Sequence, residues 1–108
     1  MKLLLDECLP VDLRHDIVGH AVFTVSFMRW KSVKNGRLLA RAAAEAFEAL
    51  ITTDGSIEHQ QNLASLPVAV VVLDATTNDL EDLRPFVPLL LETLKSLTPR
   101  AVTHITLP

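Results

Sequence analysis

The fold that this sequence predicts is a three-layer α/β sandwich with a mostly parallel, five-stranded sheet at its centre. Three observations predict it. Short apolar runs alternate with helical patterns along the chain. The run Val68 to Leu73 is apolar throughout, as a strand covered on both faces must be. Two other runs end on an aspartate, and open α/β sheets carry their chemistry beyond the carboxyl ends of their strands.

The elements follow in order. Lys2 to Leu5 is the first strand and ends at Asp6. Pro10 sits where a helix can begin, because the first turn does not need its missing N–H. Leu9, Leu13 and Ile17 then recur at helical spacing, which predicts a helix that Gly19 ends. Ala21 to Val25 is β-rich and forms the second strand. Phe27 to Gly36 has no clear period and reads as a loop leading to a helix start at Asn35 or Gly36. Leu38, Leu39, Ala42, Ala43, Ala46 and Phe47 give that helix one apolar face, with Arg37, Arg41, Glu45 and Glu48 striped opposite. Ala49 to Thr53 is the third strand, and Ser56 to Leu63 a short helix or turn. After the Val68–Leu73 strand, Asn78 with Glu81 three residues later reads as a capping box. Pro85 and Pro88 fit the first turn of a further helical segment, which Leu89 to Leu97 completes. Val102 to Leu107 alternates and forms the last strand. At a sheet edge it invites pairing with a second copy, so a homodimer is expected.

Composition sets the class. The 108 residues fit one domain spanning 1–108. Hydrophobic residues are 49% and charged residues 21%, enough for a packed core, while 5% aromatics without Tyr make that core aliphatic. A net charge of −3 excludes coating of nucleic acid by bulk positive charge. The single cysteine, Cys8, excludes an intrachain disulfide and favours a reducing compartment. No apolar stretch approaches the ~18 residues of a membrane span, and the N-terminus lacks a secretory-leader pattern. The expected location is the cytoplasm.

The candidate site comes from the strand ends. If the first and third strands are neighbours, as in a 2-1-3-4-5 sheet, Asp6 and Asp54 converge, with Glu7 beside one of them. Carboxylates crowded into a cleft repel, and a cation relieves them. Hard oxygen donors favour Mg²⁺ or Mn²⁺, and such an ion activates water and clamps a phosphodiester. The competing reading is local: an Asp at this position caps a following helix, and Asp54-Gly55 is a turn dipeptide.

Three motifs, "LLLDECLP", "KNGRLLARA" and "LITTDGSIEHQQNL", together resemble a PIN-like domain family that is widespread in bacteria and often grouped with toxins of toxin–antitoxin pairs. The resemblance runs from Met1 to about Leu97 and takes in "VAVVVL". It implies a PIN-like fold and a divalent-metal-dependent ribonuclease, the toxin component of a type II pair, with RNA as substrate and an antitoxin protein as partner. By the same resemblance Asp6, Glu7 and Asp54 hold Mg²⁺ or Mn²⁺, and Asp6 and Asp54 are catalytic. One position departs from the family. Its middle motif usually reads Asn-Gly-Glu-Leu-Leu, and this chain has Asn35-Gly36-Arg37-Leu38-Leu39. A guanidinium cannot ligate a cation. Arg37 either pairs with Asp6 or Asp54, binds an RNA phosphate, or belongs to the solvated stripe. The alternative to an active nuclease is therefore a PIN-like module that has lost catalysis and binds RNA or protein.

Further candidates surround these. Gln60, Gln61 and Asn62 orient a water or contact RNA, or else form a solvated face. Arg29, Trp30, Lys31 and Lys34 form the only basic stretch with an aromatic. Trp30 stacks on a base of single-stranded RNA, holds an antitoxin peptide, or packs in the core. With Asn35 and Arg37 they make up the expected RNA or partner surface. His15, His20, His59 and His104 share no ligand spacing and read as ordinary surface or half-buried residues. Cys8 is expected to pack under the first loop. A phosphoacceptor domain of the response-regulator type would also carry acids after its first and third strands. It needs a Lys after the fifth, and Val102 to Pro108 contains none.

Overall fold

Apolar runs of four or five residues set the scale of the molecule. In the computed structural model, which describes residues 1–108, they form β1 (Lys2–Leu5), β2 (Ala21–Thr24), β3 (Ala49–Thr52), β4 (Ala69–Leu73) and β5 (Val102–Ile105). All five lie in one sheet of order β2-β1-β3-β4-β5, and every neighbouring pair is parallel. The mostly parallel sheet expected from the sequence is thus wholly parallel. No helix is long and apolar enough to cross a membrane.

Alternation along the strands sends side chains to two separate cores. Leu3, Leu5, Ile51, Val71, Leu73 and Ile105 join a cluster of 16 buried residues on one face. Leu4, Leu50, Val70 and Val72 join a cluster of 12 on the other. The helical elements divide in the same way. A 3-10 segment at Val11–His15, α3 (Leu80–Leu83), a 3-10 turn at Arg84–Phe86 and α4 (Val87–Leu94) bring Leu13, Leu83, Phe86, Leu90 and Leu94 to the first cluster. α1 (Asn35–Ala44) and α2 (Ile57–Gln60) bring Leu38, Leu39, Ala42 and Ile57 to the second. Each fully buried Leu or Ile is worth about 1.5–3 kcal/mol relative to exposure. The two faces, not the short helices, therefore carry the stability.

Three sequence expectations need correction. The helix expected between Pro10 and Gly19 is a five-residue 3-10 segment. Leu9, Leu13 and Ile17 are buried as their spacing implies, but the element need only span strands roughly 13 Å long. Five residues at ~2 Å each nearly do so. The capping box at Asn78 and Glu81 does not form. Asp79 is the N-cap of α3 and makes no side-chain cap bond. Thr77 ties this turn instead: its hydroxyl accepts from the Asp79 amide at 3.2 Å and donates to Asp82 at 2.7 Å. The last helix ends at Leu94, short of Leu97.

The end of α1 carries a backbone cost. The Phe47 amide donates to the Ala42 carbonyl and the Ala46 amide to that of Ala43, at 2.9 and 3.0 Å. This is a Schellman closure, with Ala42 and Phe47 meeting in the core. It puts Ala46 at φ 62°, a conformation that suits glycine. Ala46→Gly should therefore stabilise the protein by about 0.5–1 kcal/mol, measured as a higher urea midpoint at unchanged slope.

Candidate functional site

The chain leaves β1 into the layer of the larger cluster and enters β3 from α1 in the other layer. The direction of winding reverses between these two neighbouring strands, so the sheet opens there beyond its carboxyl ends. Leu5 is in register with Ile51, and the Asp6 amide continues the pairing by donating to the Ile51 carbonyl at 3.0 Å. Asp6 is thereby held against the end of β3, only 9% exposed.

One hydroxyl joins the two acids. Thr52 Oγ1, fully buried, donates to Asp6 Oδ2 at 2.7 Å and accepts from the Asp54 amide at 3.0 Å. Asp6 Oδ1 accepts from the Glu7 amide at 2.9 Å. Asp54 is exposed, and its Oδ1 accepts from the amide and hydroxyl of Ser56, at 3.0 and 2.6 Å. Asp54 thus makes the local turn that Asp54-Gly55 suggests, while its backbone is tied to Asp6. Cys8 packs over the same threonines, its Sγ 3.6 Å from Thr52 Oγ1 and 3.3 Å from Thr53 Oγ1. The Thr53 hydroxyl donates in turn to Asn78 Oδ1.

The donor chemistry suits a hard cation, though the acids are few. No three His, Cys, Asp or Glu side chains group closely enough to hold a metal ion, and Glu7 stands exposed. Mg²⁺ usually keeps several waters and takes one or two carboxylates. Asp6 spends one hydrogen bond on each oxygen and Asp54 spends none on Oδ2, so both keep acceptor sites.

The amide-rich motifs meet one another. Asn35 Nδ2 donates to Gln60 Oε1 at 3.1 Å, and Gln60 Nε2 donates to Ser56 Oγ at 3.3 Å. A side chain at Gly36 would touch the Gln61 amide at 3.7 Å. Asn35-Gly36 and Gln60-Gln61 therefore join the start of α1 to the end of α2. Asn62 caps the 3-10 turn Leu63–Ser65 by accepting from the Ala64 amide.

The basic stretch is divided. Trp30 is half-buried and packs edge-on against Phe47, 6.0 Å between centroids, at the margin of the smaller core. Phe47 precedes β3, at the end of that strand opposite Asp54. Lys31 and Lys34 are exposed, as is Arg37 in the first turn of α1. Arg37 pairs with neither Asp6 nor Asp54.

A second polar network was not foreseen. His104 on β5 lies between two carboxylates: Nδ1 is 2.9 Å from Asp74 Oδ1 and Nε2 is 3.1 Å from Glu58 Oε2. Thr106 donates to Asp74 Oδ2 at 2.8 Å. The ring thus braces α2, the end of β4 and β5. The hydrogen bond that the ring donates to Asp74, aided by Glu58, raises the His104 pKa above its usual 6.5 against the opposing effect of burial. The hydrogen bond from His104 chiefly holds Asp74 below its usual 3.8. The only sequence signal was Asp74 at a strand end. The partner was hidden because it depends on the Val72–His104 register.

Comparison with protein-family models, characterised proteins and solved structures gave no match to this chain.

The brace has a definite pH signature. A raised histidine pKa stabilises the fold fully below about 6.5, and the gain fades as pH rises through the raised value. A lowered aspartate pKa stabilises above about 3.8, and that gain fades as pH falls through the lowered value. Both contributions are complete between these limits. His104→Gln should cost more stability at pH 5.5 than at pH 9, read by urea unfolding at the two pH values.

Proposed function

We propose that this chain is a divalent-metal-dependent ribonuclease of the PIN-like kind, the toxin of a type II toxin–antitoxin pair, with RNA as substrate and an antitoxin protein as partner. The observation that carries the reading is the buried Thr52 hydroxyl that links Asp6 to the Asp54 backbone at the reversal of the sheet. Asp6 and Asp54 are the residues that would hold Mg²⁺ or Mn²⁺, with Glu7 at the margin. When bound, the cation supplies Lewis-acid activation of water and offsets charge on the phosphodiester.

The rest falls to the chain's own groups. Thr52 fixes the orientation of Asp6, whose surroundings exclude most water. Ser56 holds one oxygen of Asp54 and leaves the other without a protein donor. The Asn35–Gln60 contact keeps α1 and α2 in one unit beside Asp54. Lys31, Lys34 and Arg37 offer exposed cations to RNA phosphates. Mg²⁺- or Mn²⁺-dependent cleavage of single-stranded RNA should fall by roughly 100-fold or more in Asp6→Asn and in Asp54→Asn. Equal activity in chelator, or in both variants, would sink the reading.

A second reading rests on Arg37. It stands where the family carries an acid, the first turn of α1 has no acidic residue, and no group of three metal-ligating side chains forms. On this reading the chain is a PIN-like module that binds RNA or protein without cleaving. Restoring the acid with Arg37→Glu should raise Mn²⁺ affinity by roughly tenfold in a calorimetric titration, since ligand charge sets cation affinity. Unchanged affinity would place Arg37 outside the site.

A further inference from the structure

The exposed face of α1 is cationic at one end only. Lys34, Arg37 and Arg41 stand three and four residues apart, the spacing that sets side chains one above another on a helix. All three are exposed, and none forms an ion pair. Leu38, Leu39 and Ala42 turn the other way, into the smaller core. α1 itself contains no acid. Acids begin just past its end, at Glu45 and Glu48. Glu48 is at the start of β1, where its Oε2 accepts from the Lys2 amide at 3.1 Å.

The cationic end is tied to the carboxylate turn. Asp54 Oδ1 accepts from the Ser56 hydroxyl at 2.6 Å. Ser56 Oγ accepts from Gln60 Nε2 at 3.3 Å, and Gln60 Oε1 from Asn35 Nδ2 at 3.1 Å. An unbroken run of side-chain hydrogen bonds thus joins Asp54 to the first residue of α1. From there the helix rises ~1.5 Å per residue, so the three cations extend over about 10 Å away from the site.

We infer that the Lys34–Arg37–Arg41 face is the track along which a single RNA strand leaves the carboxylate site, with the Asn35–Gln60 pair bridging the two. Each cation meets a phosphate, which positions the strand without reading its sequence. Arg41, the farthest from Asp54, is the residue this adds to the substrate-binding set. The footprint is short, about three phosphates, because Glu45 and Glu48 close the track. A net charge of −3 is compatible with so local a patch. A protein partner is disfavoured, since interface cores are depleted of charge and α1 exposes only Ala40 and Ala44 as apolar side chains. An anionic membrane is disfavoured by the same lack of groups to insert, and a second copy would set cation against cation. The inference rests on the reading of RNA as substrate, but its test needs no cleavage.

The full chain is titrated against fluorescent oligouridylate in chelator at a series of KCl concentrations. The readout is the slope of log affinity against log salt. Arg37→Gln and Arg41→Gln should each reduce that slope by about 0.7, and the double variant by about 1.4. Gln is as good a helix former as Arg, and Arg41→Lys, which keeps the charge, should keep the slope. Arg100→Gln removes an exposed cation in the loop before β5, at the other end of the sheet, and should leave the slope unchanged. Equal losses in Arg41→Gln and Arg100→Gln, or no salt-dependent binding at millimolar protein, overturn the inference. So does oligoglutamate binding as tightly and weakening in the same variants, which would assign the face to an acidic protein. A chain that binds as expected and never cleaves keeps the track while the ribonuclease reading fails. A chain that cleaves, with slopes the variants do not alter, keeps the ribonuclease reading and loses the track.

Discussion

Everything at the open end of the sheet depends on where the Thr52 hydroxyl points. A parallel strand buried on both faces has no place for a polar side chain except near its end, where hydrogen bonds replace water. Thr52 is the last residue of β3 and is fully buried. It satisfies its own hydroxyl by giving its proton to Asp6 and taking one from the Asp54 amide. That exchange fixes the Asp6 carboxylate, sets the turn through Gly55 and Ser56, and gives Cys8 its packing surface. Loss of the hydroxyl would strand a nearly buried carboxylate with only the Glu7 amide as donor, and such losses are costly.

The sequence carried the sheet plainly, and the reason is burial. Leu3-Leu4-Leu5 and Val70-Val71-Val72 must serve two cores at once, so they read as unbroken apolar runs; the β1-β3 adjacency was only a condition of the sequence reading, and the structure supplies it. The adjacency of the β1 and β3 ends, where Asp6 and the Asp54 backbone meet through Thr52, is what the sheet itself supplies. The short elements were less legible. The segment after Pro10 has helical spacing, yet the strands it must span leave room for only one 3-10 segment. Asn78 and Glu81 match a capping box, but Thr53 claims Asn78 and Thr77 claims the turn. Both outcomes are tertiary competition for local polar groups, which no window of sequence contains.

The Glu58–His104–Asp74 brace is the extreme case. Its members lie 30 and 46 residues from His104 in the chain, and only strand register brings them together. Its chemistry is nevertheless simple. A neutral imidazole donates one hydrogen bond, so two flanking carboxylates are both satisfied only by the imidazolium. When the proton leaves, one bond must be lost. Asp74 keeps Thr106 as a second donor, and its bond to the ring is the shorter.

That asymmetry bears on α2. The helix is four residues long, too short to persist alone. It is held by Ile57 in the core, by Glu58 on His104 and by Gln60 on Asn35. The same four residues separate the turn at Asp54 from the Gln61 contact with α1. Glu58, unlike Asp74, has no second side-chain donor, so the tie between α2 and β5 rests on the His104 ring alone.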